Sequence, residues 1–285
     1  MSFSRRQFLY NAGLMTAAAA FGQELIAGTK KGHPFGLQLY TLRDVIGGDT
    51  KSVLRQVASF GYSFVEGYEG EKGLFWGMTN KEFKAYLDQL GLQMVSSHCD
   101  MYKDLEKKAA QAGEIGMKYL ICPWLGPQKS LDDFKKAADA FNKAGEICKK
   151  NGLKFAYHNH GYSFTLQDGQ YPQDVMMNNT DPNLVDFEMD IYWVATAGQD
   201  PNTWLTKYPN RWRLCHVKDR GKEFSAEESD ASVDLGTGVI DFKKVAATAK
   251  KVGMKYYIVE QERYDNGSSI QAVKDNAVYM RKLKA

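Results

Sequence analysis

A chain of 285 residues with 44% hydrophobic residues and seven prolines has the length and apolar content for one large core, and no linker or low-complexity stretch divides it. The formal charge is +3, of which residues 1–22 supply two arginines and no acid, leaving 35 basic against 34 acidic side chains. So even a balance gives no electrostatic case for nucleic acid as a partner.

Taken in chain order, the first feature is Ser4-Arg5-Arg6-Gln7-Phe8-Leu9, followed by an alanine-rich apolar run to Phe21. This reads as a twin-arginine signal peptide over residues 1–22, with a cleavage point at Ala20 to Gly22. The run is too short for a permanent membrane span. The expectation is a periplasmic protein whose mature part, residues 23–285, is folded and metal-loaded before export.

Eight strand and helix alternations follow. Strands are expected over 35–40, 62–67, 92–98, 118–123, 153–158, 184–190, 212–217 and 255–260. The expected helices lie over 50–60, 79–90, 103–115, 131–150, 171–178, 200–207, 241–251 and 268–283, the second opening on a Thr79-x-x-Glu82 capping box. Five joins share one pattern, a glycine and then an apolar run: Gly61, Gly91, Gly116, Gly152 and Gly253. Glycine suits the left-handed residue that closes a helix, and the apolar run suits a parallel strand covered on both faces. Eight alternations in about 250 residues match an α/β (β/α)8 TIM barrel, whose active site gathers at the carboxyl ends of the strands. An open doubly wound sheet would bring a glycine-rich phosphate loop after the first strand, and GLQLYTLRD has none. Two long connections, 161–170 and 220–238, are candidates for covering a substrate.

The four cysteines, Cys99, Cys122, Cys148 and Cys215, form no CxxC pair, so neither a zinc ribbon nor a thioredoxin-type centre is expected; a Cys99–Cys122 disulfide stays open.

Chemistry concentrates at four later strand ends. YHNH puts His158 and His160 on one side of an extended segment and Asn159 on the other, because side chains alternate along a strand. FEMD ends in Asp190, LCHVKD carries His216 and Lys218, and IVEQE carries Glu260 and Glu262. A lone histidine or glutamate at a strand end is ordinarily a hydrogen-bonded core or capping residue. Two imidazoles and two carboxylates on four successive ends instead make a mixed nitrogen and oxygen site for one divalent ion, Mn, Co, Zn, Fe or Mg.

The segments YHNHGYSF, FEMDIYWVATAG, LCHVKD, VDLGTGVIDF and YYIVEQE resemble the xylose isomerase-like TIM barrel superfamily, the sugar phosphate isomerases/epimerases, over essentially everything after the signal. The resemblance to its ketose 3-epimerases implies metal ligands at His158, Asp190, His216 and Glu260, with one departure: the first position is histidine where those enzymes have glutamate. That pair of glutamates passes the proton between the two faces of an enediolate, so an imidazole here weighs against symmetrical epimerisation. The YHxH pattern is more similar to inosose dehydratases and to lyases acting on 3-keto-glycosides, which take a proton beside a ketone and expel water or an aglycone. The resemblance thus implies a small-molecule carbohydrate substrate, with His160 as base and His158, Lys218 and Glu260 in the catalytic group. Gln38, Tyr40, Glu66, His98, Trp124 and Glu262 become candidates for binding the sugar, with Arg43 beside them. The alternatives are a ketose or aldose epimerase or isomerase, a carbohydrate-binding barrel without catalysis, and an endonuclease of the abasic-site type. The last needs a histidine-rich multi-metal cluster, and the chain has five histidines.

Overall fold

The computed structural model describes residues 33–283 apart from 226, 227, 229 and 266, so the signal expected at 1–22 lies outside the described residues. Eight parallel strands close a barrel: β1 (Gly36–Gln38), β2 (Phe64–Tyr68), β3 (Gln93–His98), β4 (Tyr119–Cys122), β5 (Lys154–His158), β6 (Val185–Asp190), β7 (Trp212–Val217) and β10 (Tyr256–Val259). They neighbour one another in chain order, with β10 pairing back onto β1. A two-stranded antiparallel ribbon, β8 (Asp219–Arg220) with β9 (Ser232–Val233), sits between β7 and β10 in sequence.

The helices are α1 (Thr50–Ser59), α2 (Asn80–Gln89), α3 (Leu105–Glu114), α4 (Leu131–Lys150), α5 (Pro172–Asn178), α6 (Ile191–Thr196), α7 (Pro201–Lys207), α8 (Phe242–Lys251) and α9 (Ser269–Lys282). The expected barrel is therefore present, with boundaries shifted by a residue or two. Among the described residues α6 is an α-helix added to the expected set, capped by the Asp190 side chain accepting from the Trp193 N–H at 3.1 Å. The five repeated glycines sit just past α1, α2, α3, α4 and α8 at φ of 93°, 65°, 80°, 75° and 94°, a region that costs a side-chain-bearing residue about 1–2 kcal/mol. The Thr79–Glu82 capping box forms on α2. β1 stops at Gln38, short of the expected residue 40, because Leu39–Leu42 turn into a 3-10 helix capped by the Gln38 side chain.

Two apolar layers result. Outward residues of the strands, among them Leu37, Val65, Leu120, Phe155 and Val259, pack against helix residues such as Leu54, Phe83, Phe141 and Val245. Truncating a fully buried ring such as Phe155 to alanine costs about 3–5 kcal/mol. Inside the barrel, Phe64, Val95, Tyr119, Ile121, Ala156, Leu214 and Ile258 form a separate cluster. With a two-residue period along each strand, the face carrying Ala156, Leu214 and Ile258 carries His158, His216 and Glu260 next. The apolar plug thus gives way to polar groups at the carboxyl end. Among the described residues no helix is long and apolar enough to cross a membrane.

Candidate active site

At that carboxyl end the ligand atoms of His158, Asp190, His216 and Glu260 all lie within 4.8 Å of one another, and all four residues are buried. His216 Nδ1 is 3.1 Å from His158 Nε2 and 3.1 Å from Glu260 Oε2. Asp190 Oδ2 is 3.4 Å from His158 Nε2 and 3.8 Å from His216 Nδ1. Register aligns the set: Asp190 pairs with His216, and Ile258, two residues before Glu260, also pairs with His216. Asn159, pointing the other way, exchanges hydrogen bonds with the Asp190 backbone at 3.1 and 3.3 Å, which ties the ends of β5 and β6 together. His158 Nδ1 faces the Pro123 carbonyl at 3.3 Å, so a proton there leaves Nε2 with its lone pair toward the group.

The donor set fits a divalent ion. Two imidazole nitrogens converge with two carboxylates, and Asp190 Oδ2 is buried without a hydrogen-bond partner; a buried carboxylate oxygen left that way is costly unless a cation meets it. Burial would raise Asp190, but the Lys218 charge and the His158 and His216 contacts outweigh it and hold the carboxyl well below its usual range. Burial likewise opposes ionisation of Glu260, and Lys218 and His216 pull it down. His216 is disfavoured as a cation by burial, yet the carboxylates of Glu188, Glu260 and Asp190 lift it well above an ordinary histidine. An ion bound here therefore displaces a proton.

A second buried group of the same kind lies beneath and shares His216: Glu66, His98 and Glu188. Glu66 Oε1 faces His216 Nε2 at 2.7 Å and His98 Nε2 at 3.2 Å, and accepts from Gln38 Nε2 at 2.7 Å; its other oxygen accepts from Ser96 Oγ at 2.6 Å. His98 Nε2 is also 2.9 Å from Glu188 Oε2. Burial and the facing Glu66 charge push Glu188 up to about 7. His98 is driven down by burial but brought up to about 9 by the carboxylates of Glu66 and Glu188.

Above the first group opens a cavity of about 650 Å³ whose walls include Tyr40, His98, Trp124, His158, His160, Lys218, Glu260 and Glu262. Gln38 and Glu66, expected to touch substrate, do not line it. The pairing of Gln38 with Glu66 and of Glu66 with Ser96 sets them one layer down, fully buried, where they satisfy each other and His216. Arg43 is directed elsewhere, donating to the Tyr264 hydroxyl and the Glu262 carbonyl. Asp219 turns away from the cavity and accepts backbone N–H groups of Arg220, Gly236, Gly238 and Ile240, which is what the VDLGTG stretch wraps around.

His160 lies beyond the end of β5, 4.9 Å ring to ring from His158. Its imidazole stacks parallel to Tyr162 at 5.9 Å and packs perpendicular to the Trp124 ring at 4.5 Å between centroids, and its Nδ1 is buried with no partner. Burial first, and then His158, push its pKa well below the histidine range, so it stands neutral. Lys218 is 1% exposed, 4.8 Å from the Tyr192 ring, 3.4 Å from Glu260 Oε2, and ion-paired with Glu262. Burial disfavours its charge, but Glu260, Asp190 and Glu262 more than compensate, so it is a firm cation.

Glu188 is the site residue that sequence reasoning did not single out. The signal was present in FEMD, where Glu188 and Asp190 are two apart and therefore share a face. All four cysteines are free and buried, Cys99 and Cys122 included.

A family profile described as the xylose isomerase-like TIM barrel matches residues 54–283. An inosose dehydratase from Geobacillus kaustophilus is 25% identical over 253 residues, covering 74% of this chain and 79% of that protein. Inosose dehydratases from Clostridium perfringens are matched over about half their length. Among solved structures, a sugar phosphate isomerase/epimerase from Parabacteroides distasonis superposes with a TM-score of 0.77 at 29% identity, covering 90% of this chain and 98% of that one. A xylose isomerase-like TIM barrel protein from Mycobacterium smegmatis, solved in complex with magnesium, shares the fold at a TM-score of 0.64 and 14% identity, covering 89% of this chain and 97% of that one.

Proposed function

The chain belongs to the xylose isomerase-like TIM barrel family, and from that premise we propose that it is a divalent-metal-dependent lyase or dehydratase acting on a keto-sugar. The observation that carries this reading is the convergence of His158, Asp190, His216 and Glu260 on the floor of a cavity that also holds a neutral, unpartnered His160. His158, Asp190, His216 and Glu260 would hold the divalent ion, which when bound would supply a Lewis acid toward the oxygens of a keto-sugar. His160 accepts the proton from the carbon next to the ketone; the C–H electrons form the new C=C bond as the β C–O bond breaks. Lys218, held as a cation by Glu260 and Glu262, gives a proton to the departing oxygen, which leaves as water or an aglycone. The exposed Trp124 and Tyr40 rings at the cavity wall offer stacking faces for a sugar ring, and His98 and Glu262 offer polar contacts to its hydroxyls.

The inosose dehydratase relatives support elimination over isomerisation. The name of the Parabacteroides protein supports the second reading, an epimerase or isomerase, and the imidazole of His158 weighs against it.

The test is to incubate the metal-loaded protein in D2O with 3-keto-glucosides, myo-inosose and free ketoses. The expected outcome is metal-dependent release of aglycone or water from a keto-sugar. A C3 epimer of a free ketose, with no elimination from any keto-sugar, sinks the lyase reading. The Arg5-Arg6 pattern further supports export of this enzyme to the periplasm by the twin-arginine route; normal secretion of a variant with both arginines replaced by lysine refutes that.

A further inference from the structure

Metal binding by His216 accounts for one of its two ring nitrogens. The other, Nε2, points down into the lower group, 2.7 Å from Glu66 Oε1. A neutral imidazole carries one proton, so the nitrogen that ligates is chosen by the hydrogen bond that the opposite nitrogen makes. We infer that Glu66 is a positioning residue: it accepts the Nε2 proton of His216 and thereby turns Nδ1, with its lone pair, toward His158, Asp190 and Glu260. This rests on the metal reading proposed above.

Glu66 is built for that task. Gln38 Nε2 at 2.7 Å and Ser96 Oγ at 2.6 Å donate to its two oxygens, from the strands on either side of β2, so its carboxylate plane is fixed by partners that do not reach the cavity. His216, Glu66, Gln38 and Ser96 are all completely buried. The competing assignment of the lower group is a second metal site. Such an ion would meet Glu188 Oε1, which has no hydrogen-bond partner, but it needs Glu66 to turn from the Gln38 and Ser96 donors it already holds, and if it also took His216 Nε2 that imidazole would have to give up both ring protons to bridge two ions. The hydrogen bonds that Gln38 and Ser96 give to Glu66 favour the orienting role.

Two measurements on the full chain test this. The first is metal affinity, by competition with a chelator for Mn2+, Co2+ and Zn2+, in the wild type, Glu66→Gln and Ser96→Ala. The expected result is one ion per chain throughout, with Glu66→Gln binding about 10- to 100-fold more weakly and Ser96→Ala weakened by less. The second is the ring-nitrogen spectrum of 15N-histidine protein loaded with Zn2+, which should show His216 ligated at Nδ1 and protonated at Nε2. Ligation through Nε2 overturns the inference, and so does a folded Glu66→Gln that binds as tightly as wild type. Two ions per wild-type chain and one in Glu66→Gln make the lower group a metal site and overturn it equally. If Glu66→Gln does not fold, unchanged affinity in Ser96→Ala together with Nε2 ligation decides against it. If the wild type binds no divalent ion, the metal reading itself falls, a result distinct from all of these.

Discussion

The two buried groups that share His216 have nearly the same composition and differ in how far they are satisfied. In the lower one, Glu66, His98 and Glu188, Glu66 is met by Gln38, Ser96, His98 and His216 at 2.6–3.2 Å, Glu188 Oε1 has no hydrogen-bond partner, and only His98 reaches the cavity wall. The upper one, His158, Asp190 and Glu260, is open: Asp190 Oδ2 has no hydrogen-bond partner, and His158 and Glu260 line the cavity. A set of metal-type side chains is therefore not a site by its identity alone. What separates the two is how far the protein's own donors fill the lone pairs, most completely at Glu66, and how much of each group borders the cavity, His98 alone in the lower one against His158 and Glu260 in the upper.

The sharpest way to break this distinction is at the residue both groups use. His216→Ala should abolish metal binding and activity, and by removing one of the two imidazoles that face the buried Glu66 should also lower stability in denaturant unfolding. A stable variant with full metal content would show that neither group depends on it. His160→Gln touches only the open side: metal content and unfolding midpoint should hold while turnover falls roughly two to four orders of magnitude, as expected for a lost general base. Wild-type turnover in that variant removes His160 from the mechanism.

Proton competition gives a smaller effect of predictable sign. His216 is held protonated well above the ordinary histidine range before an ion binds, so binding releases a proton and affinity should rise with pH, by about tenfold per pH unit for one proton displaced. Titrations at several pH values check this; an affinity that falls as pH rises contradicts the assigned ligand. The smallest effect is expected at Glu188→Gln. The isostere keeps an oxygen facing His98 Nε2 and lies outside the open group, so it should keep one ion per chain, as metal analysis of the purified variant would show. Loss of the ion from that variant would transfer Glu188 to the open group.

Much of this was legible along the chain. Each glycine-bounded join is a local event: a left-handed residue closes a helix and a β-branched or apolar run starts a strand, which is why the elements and the (β/α)8 count emerge from sequence with boundaries off by a residue or two. His158, Asp190, His216 and Glu260 were readable for a related reason, since polar residues that end apolar strands stand out against their neighbours. α6 was not foreseen, because its start depends on the Asp190 side chain capping it in three dimensions.

Depth was the quantity that sequence could not supply. Gln38 and Glu66 look like Tyr40 and Glu262 when read as polar residues near strand ends, yet barrel stagger puts the first pair under the floor and the second on the cavity wall. Glu188, two residues before Asp190, shares its face by simple alternation, but only the register of β6 against β5 and β7 puts it opposite His98 across the barrel rather than beside the opening. Strand periodicity determines which face a side chain takes, and the chain carries that information locally. How far along the barrel axis the side chain stands, and which partners saturate it there, depends on the closure of eight strands brought together from the whole length of the chain.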